Sequence, residues 1–191
     1  ALLARMEVYF VAFGAGALLL GFVVLPLCVT AVTPFSYREV VGVAREALLT
    51  AFIASSVFIV LPMLVERAKE LMRRHGVLTN DAAAGAEVIV PILFNFPNAG
   101  RLLTLLFVPF GAWLVGAPLP AGEYPSLLLT GLFSYFAKAQ VALPFLMDLA
   151  AVPHDLFQLY IPTTIITGKF DSLVAAMNLL VFALLGGCAM A

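Results

Sequence analysis

Long apolar stretches alternate with short polar ones along the chain. Val8–Thr33 runs 26 residues without a charge. Pro34–Glu46 follows and carries Arg38, Glu39, Arg45 and Glu46. Ala47–Val65 is again uncharged but contains Ser55, Ser56 and Pro62, and it leads into the cluster Glu66, Arg67, Lys69, Glu70, Arg73, Arg74 and His75. A third apolar stretch, Val88–Gly116, is interrupted by FNFPNAGR at 94–101. A fourth, Tyr124–Val152, is interrupted by Lys138, Gln140, Pro144 and Asp148. The last, Leu156–Met190, carries Lys169, Asp171 and Asn178. The first stretch is too long for a signal-peptide core and long enough for a tilted membrane-spanning helix. Hydrocarbon offers no water to freed backbone groups, so broken helices survive there only against protein or along a wet cavity. Several broken stretches in one short chain predict such a cavity.

Composition fixes the class. Of 191 residues, 63% are hydrophobic and 11% charged, and the mean hydropathy is +1.10. Soluble domains carry about 25% charged residues. The net charge of −1 excludes an electrostatic nucleic-acid binder. So apolar a chain is also not disordered. An integral membrane protein remains, one with twelve prolines and fourteen glycines, many inside its apolar stretches. Cys28 and Cys188 lack the spacing of a metal or redox motif and read as small packing residues. The opening ALLARMEVYF has no initiator Met and no basic leader, which suggests an internal piece of a larger protein.

Charge in the polar stretches predicts orientation. Arg38, Arg45, Arg67, Lys69, Arg73 and Arg74, six of the ten basic residues, flank the second apolar stretch. The loops near Glu123 and near His154 and Asp155 have none. By the positive-inside rule both ends of the second stretch are cytoplasmic and both ends of the fourth are external. Each would be a re-entrant hairpin, dipping in from opposite faces. An internal repeat agrees: IVLPMLVE matches VALPFLMD in character when Pro62 is aligned with Pro144, 82 residues later. Asn95 and Asn98 follow the first copy and Asn178 the second. Short, Pro-interrupted apolar segments in matching places of two halves point to a transporter's binding site.

Several residues carry candidate chemistry. Asp171 stands in an apolar stretch, where a carboxylate is expensive and functional by default. It would accept a substrate amino group, a cation or a proton; the alternative is a membrane-surface position paired with Lys169. Lys138 and Gln140 fall at the turn of the second hairpin, where a cation beside freed N–H groups suits an anion. Snorkelling to the surface is the other reading of Lys138. Arg101 directly follows the break and either holds a carboxylate or reaches a headgroup. Asn95, Asn98 and Asn178 offer amide oxygens to a substrate or cation, or else bond between helices. Ser55 and Ser56 either donate to a substrate or satisfy the bend. His75 and His154 lie in loops and read as solvated. The basic run 67–74 contacts anionic lipid. Trp113, Tyr9, Tyr124 and Tyr160 read as an interfacial belt.

These features resemble the dicarboxylate/amino acid:cation symporter family, which has the glutamate-transporter fold. Arg45-Glu46-Ala47, Thr50-Ala51-Phe52 and Leu61-Pro62 keep the spacing of that family's first hairpin, with Ser55 and Ser56 in its serine-rich tip. Pro91 and Gly100 keep the spacing of its next crossing, and Asp171 and Asn178 that of its last. There are departures. The family's Asn-Met-Asp break is Pro97-Asn98-Ala99, its substrate-carboxylate arginine falls on Val174, and its second cation-site aspartate falls on Phe182. Its glycine-rich second tip is Ala137-Lys138-Ala139-Gln140. Sodium coupling and acidic amino-acid specificity are therefore not carried over.

The resemblance implies an all-α membrane protein built as an inverted repeat of two re-entrant helical hairpins and broken transmembrane helices. Its parts would be a span at 8–33, hairpin 1 at 40–74, a broken span at 84–116, hairpin 2 at 124–152 and a span at 156–190, forming one transport-domain fragment. The expected function is secondary active transport of small organic anions, dicarboxylates or amino acids by alternating access. The substrate-binding set is Ser55, Ser56, Asn98, Arg101, Lys138, Gln140, Asp171 and Asn178, and the cation-binding set is Asn95 and Asn178. A non-transporting receptor or membrane anchor with the same fold is the alternative. No cofactor, metal or catalytic residue is expected, and the coupling ion, Na+ or H+, lacks its family ligands. A serine hydrolase is not supported, because both histidines lie in loops and no G-x-S-x-G occurs. The implied partners are the bilayer, a small-molecule substrate, the missing spans, a solute-binding domain and two further copies in a homotrimer. The implied location is the inner cell membrane, with multiple passes.

Overall fold

The computed structural model describes residues 2–191, with side chains from Arg5 onward, and among these residues every regular element is helical. Helix α1 (Leu2–Leu19) continues through a π-helical turn, Leu20–Val24, into α2 (Leu25–Val32). The π-turn has a local cause. Pro26 has no N–H to give to Phe22, four residues earlier. The freed Phe22 carbonyl instead accepts a hydrogen bond from the Tyr37 hydroxyl at 2.6 Å. That bond ties the first long helix to the start of the next unit.

The next unit is a helical hairpin. Helix α3 (Tyr37–Ala54) turns at Ser55–Val57, passes a 3-10 turn at Phe58–Val60 and returns as α4 (Leu61–Arg74). Ser55 makes the turn with φ 51°, the left-handed conformation that glycine usually supplies at a helix end. Ion pairs join the two arms in antiparallel register. His75 Nε2 lies 3.0 Å from Glu39 at the open end, and Arg67 pairs with Glu46 nearer the turn.

Helix α5 (Asn80–Phe94) ends at the break, residues 95–98. The chain resumes as α6 (Ala99–Leu103), a 3-10 turn at Thr104–Leu106 and α7 (Phe107–Leu114). A second, shorter hairpin follows, α8 (Tyr124–Ser134) and α9 (Ala139–Leu149), with its turn at 135–138. The chain ends in α10 (Phe157–Ala189), 33 residues with Pro162 inside. Three helical stretches are long and apolar enough to cross a membrane: Arg5–Val32, Asn80–Leu114 and His154–Ala189.

Side-chain contacts fix how these parts are arranged. Arg5 donates to the Leu114 carbonyl and stacks over Trp113, so α1 begins beside the end of α7. Thr79, the cap of α5, donates to the Met190 carbonyl, so α5 begins beside the end of α10. The open end of the first hairpin therefore lies where α5 begins. The open end of the second lies at the other side, between α7 and α10. Both turns reach the break: Phe58 meets Phe94 at 5.8 Å, and Phe136 meets Phe96 at 5.6 Å.

The core sits along α10, which is buried almost continuously from Ser172 to Val181. Small residues let helices close on it. A Cβ on Gly187 would overlap the Met72 side chain, and one on Gly21 would stand 2.9 Å from Leu173. Elsewhere, Cys28 is exposed rather than packed, and Cys188 is half-buried.

Candidate functional site

The break is where α10 and α6 come closest. Asn98 caps α6: its side-chain oxygen accepts from the Arg101 N–H at 3.0 Å. Asn178 reaches across from α10 and accepts from the Ala99 N–H, also at 3.0 Å. Two of the N–H groups that a restarting helix leaves free are thus satisfied by these two amides. Both asparagines are 6% exposed. Gly100 stands between them, and a Cβ there would overlap both the backbone carbonyl and the carboxylate of Asp171. Only glycine lets α10 pass this closely.

On one side of that crossing lies a cavity of about 370 Å³. Its walls come from three separate parts of the chain. The restarted helix gives Arg101 and Thr104, the turn of the second hairpin gives Tyr135 to Gln140, and α10 gives Tyr160 and Asp171. Lys138 is the N-terminal flanking residue of α9, so the first N–H groups of that helix open beside its ammonium group. Thr104 Oγ1 donates to the Arg101 carbonyl at 2.6 Å and shares a hydrogen bond with the Tyr135 hydroxyl, which fixes the floor. Among the described residues, Arg101, Lys138 and Asp171 form no ion pair with one another. The inner oxygen of Asp171, Oδ1, is buried with no hydrogen-bond partner. Two cations, one carboxylate and three hydroxyls therefore face this space at the depth of the break. This set can hold a small anion by charge-assisted hydrogen bonds.

Four of the residues singled out from sequence meet here: Arg101, Lys138, Gln140 and Asp171. The structure puts the others elsewhere. Asn98 and Asn178 sit behind the cavity as helix caps. Asn95 is exposed and donates to the Pro91 carbonyl at the end of its own helix. Ser55 and Ser56 are at the first hairpin's turn and do not line this cavity.

Thr104, Tyr135 and Tyr160 were missed. The expected interfacial belt is corrected for two tyrosines: Tyr9 is 1% exposed and Tyr160 is 4% exposed. They pack with Phe107 at ring separations of 5.5 and 5.2 Å, because α1, α7 and α10 converge there. A signal for Tyr160 existed. Tyr160, Thr163, Thr167 and Asp171 recur at helical spacing, a polar stripe on an apolar helix. His154 is exposed, as expected, and pairs with the exposed Asp148, whereas His75 is half-buried and pairs with Glu39.

Searches of curated proteins and of solved structures returned no match. One family model, described as the sodium:dicarboxylate symporter family, matches residues 1–191. The match covers the break, both hairpins and the charged cavity beside the break, and the chain belongs to the sodium:dicarboxylate symporter family.

Proposed function

We propose that this chain is the substrate-handling part of a secondary active transporter for small organic anions, dicarboxylates or amino acids. One observation carries the reading: Arg101, Lys138 and Asp171, from three separate segments, line a single cavity beside the break. A carboxylate ligand would bridge Arg101 and the α9 start, and its remaining groups would meet Asp171, Gln140 and the tyrosine hydroxyls. In this reading both hairpins are re-entrant, entering from the cytoplasmic and external faces of the inner membrane, and they act as the two gates of alternating access. The inverted repeat around Pro62 and Pro144 supports that arrangement, as do the hairpins' opposite open ends.

Uptake by proteoliposomes containing the full-length protein tests the reading. Saturable uptake of a dicarboxylate or amino acid is expected, and Arg101→Gln should weaken apparent affinity about 10- to 100-fold, the worth of a charge-assisted hydrogen bond. No saturable uptake of any such compound by folded protein would overturn it. Binding without flux would favour the second reading, a receptor or anchor that keeps the fold. The observation favouring that alternative is that Asn98 and Asn178 turn their oxygens to the start of α6, with Ala99 and Phe182 where acidic cation ligands are expected from the resemblance.

A further inference from the structure

We propose that the first hairpin carries a lipid site. It takes one anionic phospholipid of the phosphatidylglycerol type, with the phosphate held by Arg38 and Arg45 over Gly42 and an acyl chain along the apolar groove between α3 and the π-turn. The inference stands apart from the cavity beside the break and does not depend on what that cavity carries.

Two cavities of opposite character adjoin on α3. The groove, about 550 Å³, is walled by Phe22 from the π-turn, Leu48 and Leu49 from α3 and Leu173 from α10. The Tyr37 hydroxyl is spent on the Phe22 carbonyl, so it braces this wall rather than offering a free donor. A second cavity, about 380 Å³, lies between the arms of the hairpin and is lined mainly by charged side chains, Glu46 and Arg67 among them. Arg38 and Gly42 line both. Gly42 is exposed, and a Cβ there would meet nothing within 4 Å, so the shared rim is an open dip in the helix surface. An apolar trough that opens into a charged chamber fits an amphiphile. A soluble metabolite or an apolar helix would match only half of it.

Charge selects the kind of amphiphile. Arg38 and Arg45 stand seven residues apart on α3, about 10.5 Å along its axis, with Gly42 between them on the same face. Both are exposed, and among the described residues neither forms an ion pair. The chamber's other arginines are engaged, Arg67 with Glu46 and Glu70, and Arg74 with Glu70. Two unpaired guanidinium groups that can meet over a bare stretch of helix suit a phosphate, which arginine binds through paired hydrogen bonds. Together the two linings hold four arginines and three glutamates, a net charge of +1. A phosphodiester with an uncharged head group brings one negative charge and makes the loaded site neutral. Glu46 spends Oε2 on Arg67, which leaves Oε1 to accept from the hydroxyls of a glycerol head group. Phosphatidylethanolamine has the same phosphate, but its ammonium cancels it and leaves the site at +1.

The test places purified full-length protein in phosphatidylcholine nanodiscs with increasing fractions of phosphatidylglycerol or phosphatidylethanolamine and reads the melting temperature. Phosphatidylglycerol should raise it along a saturating curve, as one site requires, and phosphatidylethanolamine should not. The Arg38→Gln, Arg45→Gln double variant should need about tenfold more phosphatidylglycerol, or beyond, for the same rise, because charge-assisted hydrogen bonds are lost. Gly42→Leu, which fills the dip without touching a charge, should lose the response as well. Arg73→Gln alters an exposed arginine that lines neither cavity and should keep it. If the double variant does not fold, Gly42→Leu and the two lipids compared on the unaltered protein still decide. A rise that does not saturate, that phosphatidylethanolamine matches, or that Arg73→Gln weakens as much as the double variant is general surface attraction and overturns the proposal. No rise with phosphatidylglycerol also overturns it, and is the result if another span of the full-length chain fills the groove.

Discussion

The two hairpins share a plan but are held by different means. The first is closed along its length. Glu39 pairs with His75 and Glu46 with Arg67 across the arms, Glu70 holds Arg67 and Arg74 within α4, and Lys69 joins the hairpin to Glu87 on α5. Its arms also pack along α10, with Met72 seated on Gly187. The second hairpin has no ion pair between its arms among the described residues. Its anchors are near its turn: the Tyr135 hydroxyl on Thr104, Phe136 on Phe96, and Gly131 close enough to Leu105 that a Cβ would stand 2.6 Å away. Its open end pairs Asp148 with His154 at the start of α10 and buries Leu146, Met147 and Val152. A hairpin fixed along both arms is a poor gate. The second hairpin differs in that its turn lines the cavity, so under the proposed function whatever the cavity holds acts on that turn directly.

The largest expected effect lies beneath both turns. Gly100→Val should overlap Asp171 backbone that cannot move without shifting α10, costing about 1–3 kcal/mol and abolishing ligand stabilisation. Gly42→Ala, on the first hairpin with open space around it, should instead raise stability by about 0.5–1 kcal/mol. Thermal melts of the two variants side by side check the contrast, and equal effects would deny the crossing its tightness. Next, Tyr135→Phe removes one hydrogen bond worth about 1 kcal/mol and should speed amide exchange in α8 and α9 but not in α3 and α4. Exchange that rises equally in both hairpins would break the distinction drawn between them.

Smaller effects test the first hairpin. Arg67→Ala removes two partly exposed ion pairs and should lower stability by less than about 1 kcal/mol, measured by chemical denaturation. A loss of several kcal/mol would mean that these pairs are what holds the arms. The smallest effect is a pH response at the hairpin's open end. The Ser36 hydroxyl and N–H, followed by His75, pull the Glu39 carboxyl down from 4.5 to about 2. Its folded-state pKa lies below its unfolded value, so its contribution is full above about 4.5 and fades as pH falls towards 2. Amide exchange in the first turn of α3 should quicken over that window. In Glu39→Gln the same exchange should show no such step.

Much of the site could be read before any coordinates. Asp171, Lys138 and Arg101 stand out because a charge in an apolar stretch is costly and therefore unusual. The break at 94–101 stands out because Pro97 cannot continue a helix and two asparagines and Gly100 disfavour one. What could not be read is which polar groups turn to each other. Asn178 and Asn98 offer the same amide whether they bind a ligand or cap a helix. Only the approach of α10 to Ala99 decides between these, and it decides for the cap. Tyr160 resembles a membrane-interface residue until three helices close over it.

The sequence by itself determined that this is a membrane protein, where its apolar helices run and break, and which charges must be accounted for at depth. Those conclusions follow from transfer free energies and backbone chemistry, which act locally along the chain. The tertiary structure alone decided that Arg101, Lys138 and Asp171 face one cavity, and that Ser55, Ser56 and Asn95 stand outside it. Helix packing sets which faces meet, and here that rests on a single glycine. Gly100 has no Cβ, so α10 lies against α6 with the Asp171 carboxylate beside the break rather than a side chain's width away.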